Sequence, residues 1–210
     1  MRIKERKKRD KEFRRHQIMD AAKMVYAKKG SSSATIENIA EEAGFSPATI
    51  YLYFKNKDEL SASLSLEMLN DLVEKIKNIS NQNNLNTEEK IKALPQAFYQ
   101  VYESDPLNVK HVLRYQSTEA LLNLSPELAS QIKEAAQKYI NAVVKIFNEG
   151  VRVGDLQDCH PVAFADILWS LFAGLVLWED TKRGFDPRKD FLKPTLWLAF
   201  DIINQGIKKH

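Results

Sequence analysis

Cysteine occurs once in the 210 residues, at position 159. A single cysteine excludes an intramolecular disulfide and fits a reducing cytoplasm; it reads as an inert small hydrophobe rather than a redox switch. Glycine and proline number seven each, too few for a low-complexity or collagen-like chain. No segment alternates polar and apolar residues with the period of two that a half-buried strand requires. The longest apolar stretch, Val162 to Trp178, is interrupted by Asp166 and Ser170 and falls short of the roughly 20 residues that span a bilayer, so no membrane partner is expected. The N-terminus lacks the apolar run of a secretory signal. Also missing are the phosphate-cradling loops G-x-G-x-x-G and G-x-x-x-x-G-K-S/T, the zinc-binding H-E-x-x-H and the nucleophile elbow G-x-S-x-G. His16, His111, His160 and His210 share no metal-ligand spacing. The residues give no support to an enzyme, a cofactor or a metal centre.

What is present is helical and unevenly charged. The formal charge of +3 divides into 14 Lys/Arg against 9 Asp/Glu in residues 1–60 and 17 against 19 in the remainder. The basic excess sits at one end, as a DNA-facing domain requires. It is densest in residues 1–15, MRIKERKKRDKEFRR, with nine basic and three acidic residues. These read as a solvated, frayed arm, able to track phosphates or enter a minor groove.

Helical periodicity begins near Glu12 and continues through Ile18, Ala22, Val25 and Tyr26 to Gly30. A long helix follows from Lys57 to Ser80, with Leu60, Leu64, Met68, Leu72 and Ile76 at steps of four. Further helices are predicted from Thr87, from Asp105-Pro106 (running as far as Leu122), from Ser125-Pro126 to a stop at Gly150, from His160-Pro161 to about Arg183, and from the Pro187–Pro194 region to the end. The last two are apolar on more than one face, so each must be covered on several sides. A four-helix dimer interface explains that best.

The most informative stretch is Thr35 to Leu60, TIENIAEEAGFSPATIYLYFKNKDEL. Thr35 is an N-cap, Ile36, Ile39, Ala40 and Ala43 form one apolar face, and Gly44 ends the helix. Ser46 caps the next helix with Pro47 at its first position, and this helix runs only from Ala48 to Phe54. A helix of two turns cannot hold itself together in water. Ile50 and Phe54 can anchor it while Thr49, Tyr51, Leu52, Tyr53 and Lys55 project elsewhere, the arrangement of a helix-turn-helix reading a major groove.

The string Ile39-Ala40, Ala43-Gly44-Phe45-Ser46, Thr49-Ile50-Tyr51, Tyr53-Phe54, Asn56-Lys57 and Leu60 resembles the DNA-binding signature of the TetR family of transcriptional regulators. Gln17 to Ala22, Tyr26 and Gly30 resemble the first helix of the same domain. The likeness spans residues 15–62, and outside it only the architecture is compatible. It implies an all-α protein with a basic arm (1–15), a three-helix DNA-binding domain (16–60) and a helical effector-binding and dimerisation domain (61–210). It further implies a cytoplasmic, ligand-responsive repressor that binds a palindromic DNA operator as a homodimer.

Position by position, the resemblance assigns Lys57 to a DNA phosphate and offers the hydroxyls of Tyr51, Tyr53, Thr49 and Thr35 to the backbone. Tyr53 stands where the family often has histidine. Pro47 and Ala48 lie at the tip, and neither can hydrogen-bond a base. Readout must then use apolar contacts, Ser46, Glu37 or DNA shape, with Lys55 adding charge beside them. Glu37 can accept only from cytosine N4 and otherwise repels phosphate. For the effector, Tyr102, Tyr115, Trp169 and Phe172 are candidate cavity walls, and His111 and Arg114 candidate groups for a ligand head, the ligand itself being apolar. Plain core packing is the competing account of each aromatic. Two other functions compete: a nonspecific DNA binder driven by the arm, with steep salt dependence, and a cytosolic helical carrier or enzyme, which leaves the helix-turn-helix signature unused.

Overall fold

The computed structural model describes residues 2–30, 33–115 and 124–209, without the side chains of residues 2, 3, 114 and 115. The described helices are α1 (Arg2–Lys29), α2 (Ile36–Ala43), α3 (Pro47–Tyr51), α4 (Lys57–Ser80), α5 (Thr87–Ser104), α6 (Pro106–Tyr115), α7 (Pro126–Val153), α8 (Pro161–Phe185) and α9 (Leu192–Gly206). Among the described residues no strand forms, and the one β-bridge joins Leu156 to Lys208. The fold is all-α.

Two cores are strung along α4. Leu60 and Leu64 join Ile18, Ala22, Val25, Ile39, Ile50 and Phe54 in a small head. From Met68 onward, α4 belongs to a larger body whose centre is Leu72, Ile76, Leu94, Phe98, Val143, Phe147, Phe172 and Phe200. Side chains three and four apart share one face of a helix, so the apolar row of α4 serves both cores without interruption.

Several helix limits differ from the sequence expectation. The arm is not frayed: α1 is continuous from Arg2, ten residues before the predicted start near Glu12. Helix α3 stops at Tyr51, and Leu52 to Phe54 continue as turns whose N–H groups donate to Thr49 and Ile50 carbonyls. Helix α5 does start at Thr87, as expected; Asn86 caps it in a capping box with Glu89, and Thr87 is buried.

Helix α7 passes through Gly150 and ends at Gly154, which takes the left-handed conformation (φ 87°). Gly150 has another purpose, because a Cβ there would lie 2.5 Å from Thr87 Cγ2 and 2.6 Å from Leu156 Cδ1. Cys159, read as an inert small hydrophobe, is exposed. The predicted extension of α6 to Leu122 falls outside the described residues.

Helix α8 corrects the expectation about apolar length. At 25 residues, with a window of mean hydropathy 1.7, it is long and apolar enough to cross a bilayer, yet only 28% of that window is buried. Phe164, Leu168, Phe172 and Val176 face the body. On the other side Ile167 and Trp178 are 53% and 61% exposed, matched on α9 by Leu198 (59%) and Ile202 (62%). Contiguous apolar faces of this kind mark a surface that another element covers.

Candidate DNA-binding surface

Helix α3 owes its position to its neighbours. Five residues cannot sustain a helix alone. Ile50 (fully buried) and Phe54 fix its back in the head core. At its start, Ser46 Oγ accepts from Thr49 N (3.2 Å) and lies 2.9 Å from Thr49 Oγ1, with Pro47 at the first position. Before it, α2 is capped by Thr35, whose Oγ1 accepts from Asn38 N at 3.3 Å, and closed by Gly44 in the left-handed conformation (φ 69°). Both short helices are thus held by caps and buried anchors, which leaves their outer faces free to be chemical.

That outer face carries Ser46, Pro47, Ala48, Tyr51, Leu52 and Lys55, all exposed; Thr49 and Tyr53 are half-buried. Tyr53 packs against the head core, so its ring is partly structural. Lys57 is half-buried at the start of α4, and its Nζ donates to the Ala34 carbonyl at 3.0 Å. A phosphate would have to share or take over that ammonium. Glu37 is exposed in the first turn of α2, and its carboxyl lies below the usual range because its own backbone N–H and the Thr35 hydroxyl donate to it.

The predicted effector residues do not form one cluster. Trp169 and Phe172 (ring centroids 6.2 Å apart) continue a chain of rings through Tyr139, Phe98 and Phe200 in the body core. Tyr102 is buried beside Tyr99. His111 is elsewhere, stacked on Tyr26 of α1 at 4.3 Å and 19°. Burial, with the nearby charge of Lys57, pushes the His111 imidazole down to about 4. The Arg114 and Tyr115 side chains lie outside the described residues. Among the described residues no group of three or more His, Cys, Asp or Glu is placed to hold a metal ion.

Sequence reasoning overlooked the groups that join head to body. Lys23 of α1 reaches Glu67 of α4 (3.0 Å) and Asp105 between α5 and α6 (3.7 Å), beside a polar cleft of about 290 Å³ that also involves Asp71 and Asn108. Within the head, Arg15 donates to Ser63 (2.7 Å) and covers the Phe54 ring at 4.4 Å. Glu59 accepts from Lys55 N (2.8 Å), just past α3, and from Ser125 N (3.1 Å), just before α7. Burial acts to raise the Glu59 carboxyl, but those two N–H donors outweigh it and hold it below its ordinary value. No local pattern announces such pairs, since all but Lys55 with Glu59 join residues far apart in sequence.

Residues 18–64 match the family model described as bacterial regulatory proteins, tetR family. The chain is also similar to the fatty acid metabolism regulator protein of Bacillus subtilis, with 29% identity over 149 residues, 71% of this chain and 74% of that protein. The fold superposes on the fatty acid degradation regulator FadR from Bacillus halodurans with a TM-score of 0.71 and 26% identity, covering 92% of this chain and 95% of that one.

The chain carries a TetR-family DNA-binding domain over residues 18–64. It is a DNA-binding transcriptional regulator and not an enzyme. A second solved structure, FadR from Bacillus subtilis in complex with stearoyl-CoA, shares the TetR fold with a TM-score of 0.67 and 24% identity over 91% of this chain and 98% of that one. The TetR signature and the anchored α3 fall on the same residues, and the outer face of α3 is exposed.

Proposed function

We propose that this TetR-family protein is a cytoplasmic repressor that binds a palindromic operator as a homodimer and is released by a long-chain acyl effector. The observation that carries the DNA part is α3 itself, fixed from behind by Ile50 and Phe54 and presenting Tyr51 and Lys55 outward. Thr35, Glu37, Ser46, Pro47, Ala48, Thr49, Tyr51, Tyr53, Lys55 and Lys57 form the contact surface. The hydroxyls and lysines position the head on phosphates, while Pro47, Ala48 and Leu52 supply apolar contact with base edges. In this reading the DNA-binding domain covers residues 16–60 and the effector and dimerisation domain residues 61–210.

Dimerisation is supported by the exposed apolar faces of α8 and α9. Two copies that pair those faces bury them in a four-helix contact and place the two α3 helices on successive major-groove turns, about 34 Å apart. The acyl class of effector is supported by the similarity to fatty acid regulators along most of the chain and by the ring-lined body core holding Trp169, Phe172 and Tyr102. An acyl chain would have to part these packed rings. It would favour a spacing of the heads that does not fit DNA, acting through α4, which runs unbroken from head to body. The effector can shift that balance only by its differential affinity for the two spacings.

The test is titration of a protein–operator complex, on a duplex obtained by selection, with acyl-CoA of increasing chain length. The proposal expects long chains to weaken binding by about 5- to 150-fold, the usual range of allosteric coupling, and CoA alone to do nothing. Unchanged affinity at every chain length would remove the acyl effector and leave the DNA reading standing.

A further inference from the structure

The first half of α1 belongs to neither core, yet it is helical and highly ordered in charge. At 100° per residue, Lys4, Lys7, Lys8, Lys11, Arg14 and Arg15 fall within an arc of about 120° that contains no acidic residue. Glu5 and Glu12 lie on one side of that arc and Asp10 on the other, together with Arg6, Arg9 and the exposed Phe13. Among the described residues the one ion pair within residues 4–14 is Arg6–Asp10 (4.0 Å), and it is outside the arc. The cationic face is therefore continuous, and from Lys4 to Arg14 none of its side chains forms an ion pair among the described residues.

Its direction is fixed by the rest of the helix. The same face, one to three turns later, is Ile18, Ala22 and Val25, buried in the head. The stripe thus overhangs the head on the side where α2, α3 and the start of α4 lie. The helix meets that side at Arg15, whose guanidinium lies over Phe54. Phe54 is the last anchor of the recognition unit, adjacent to Lys55 and three residues before Lys57. Residues 2–14 then extend about 20 Å further.

We propose that residues 4–15 of α1 form a preformed cationic rod that lies along the phosphate backbone next to the site read by α3, lengthening the DNA contact of each head. The proposal rests on the DNA-binding reading above. Lysines three and four apart on one helix face repel one another and destabilise a helix that has no core to hold it. Phosphates along the stripe remove that repulsion, so DNA binding stabilises a helix that is already formed. A flexible arm with the same composition would need no such sorting of charge.

The experiment compares full-length wild type with two double variants of equal charge, Lys8→Gln/Lys11→Gln on the stripe and Arg6→Gln/Arg9→Gln off it. Affinity for a selected operator duplex with flanks of ten base pairs is measured by fluorescence anisotropy across salt concentrations. Each phosphate contact contributes about 0.9 to the slope of log K against log salt. The stripe variant should lower the magnitude of that slope by about 2 for each arm engaged, and the off-stripe variant by less than half of that. The stripe variant's far-UV circular dichroism should remain at or above the wild-type helix content, since its substitutions relieve repulsion. Equal slope losses in both variants would reduce the arm to undirected charge and overturn the proposal, as would no loss in either. If wild type itself selects no sequence, the failure is of the regulator reading rather than of the rod.

Discussion

Lowering the pH from 7 to 5 should loosen the junction between head and body through one residue, His111. Its ring is buried and stacked on Tyr26, and it titrates near 4 in the folded chain against about 6.5 when unfolded. Between those values the unfolded chain takes up a proton that the folded chain refuses. The His111 contribution is therefore complete above about pH 6.5 and is lost as the pH falls toward 4. It amounts to about 3 kcal/mol in all, of which about 2 is gone by pH 5. With a urea slope near 2 kcal/mol per M, the unfolding midpoint should fall by about 1 M between pH 7 and 5 at fixed protein concentration.

His16 and His160 are exposed. The carboxyls of Glu59, Glu149 and Glu179 lie below their ordinary range, so the stability they contribute fades only below about pH 4.5. The control is His111→Phe, which keeps a ring against Tyr26 and removes the titration. Its midpoint should move less than half as far over the same pH range. Equal pH dependence in wild type and variant would refute the assignment.

Four further outcomes follow from the contacts. Ile50→Ala removes the fully buried anchor of α3 and should cost about 2 to 5 kcal/mol in chemical denaturation, with operator binding lost before the body unfolds. Tyr51→Phe and Lys57→Ala should each weaken operator binding in anisotropy while sedimentation shows an unchanged oligomer; normal binding by both would mean the docking is wrong. Ile202→Glu places a charge in the exposed face of α9 and should yield monomers in sedimentation, whereas an intact dimer would move the interface elsewhere. Gly150→Ala should destabilise by about 1 to 2 kcal/mol in chemical denaturation, because crowding against Thr87 and Leu156 exceeds the gain in helix propensity; a midpoint at or above wild type would show that these side chains give way.

The head was legible in sequence because its stability is local. Thr35, Gly44, Ser46 and Pro47 are caps that act on their immediate neighbours, and each takes the conformation that its chemistry favours. The long α4 was legible for a similar reason, since one apolar row serves both cores. Gly150 was misjudged because a glycine that makes room for Thr87 and Leu156 looks the same, in sequence, as one that ends a helix. The N-terminal arm was misjudged because charge density predicts solvation, while the sorting of that charge by helical angle becomes visible only once a helix is assumed. His111 was placed among effector groups because a lone histidine on an apolar helix does not reveal that its neighbour is Tyr26, 85 residues earlier in the chain. The bridges through Lys23 and Glu59 left no signal at all, as both depend on tertiary proximity alone.

Helix α3 of each protomer is expected to read a specific duplex in a two-fold arrangement. Selection from a random duplex library with the purified protein at physiological salt tests it most directly. The expected outcome is enrichment of one inverted repeat whose half-sites are centred about one helical turn, roughly 34 Å, apart or a multiple of it. Retention of DNA with no enriched sequence would contradict it, and would leave a basic protein that binds any duplex alike.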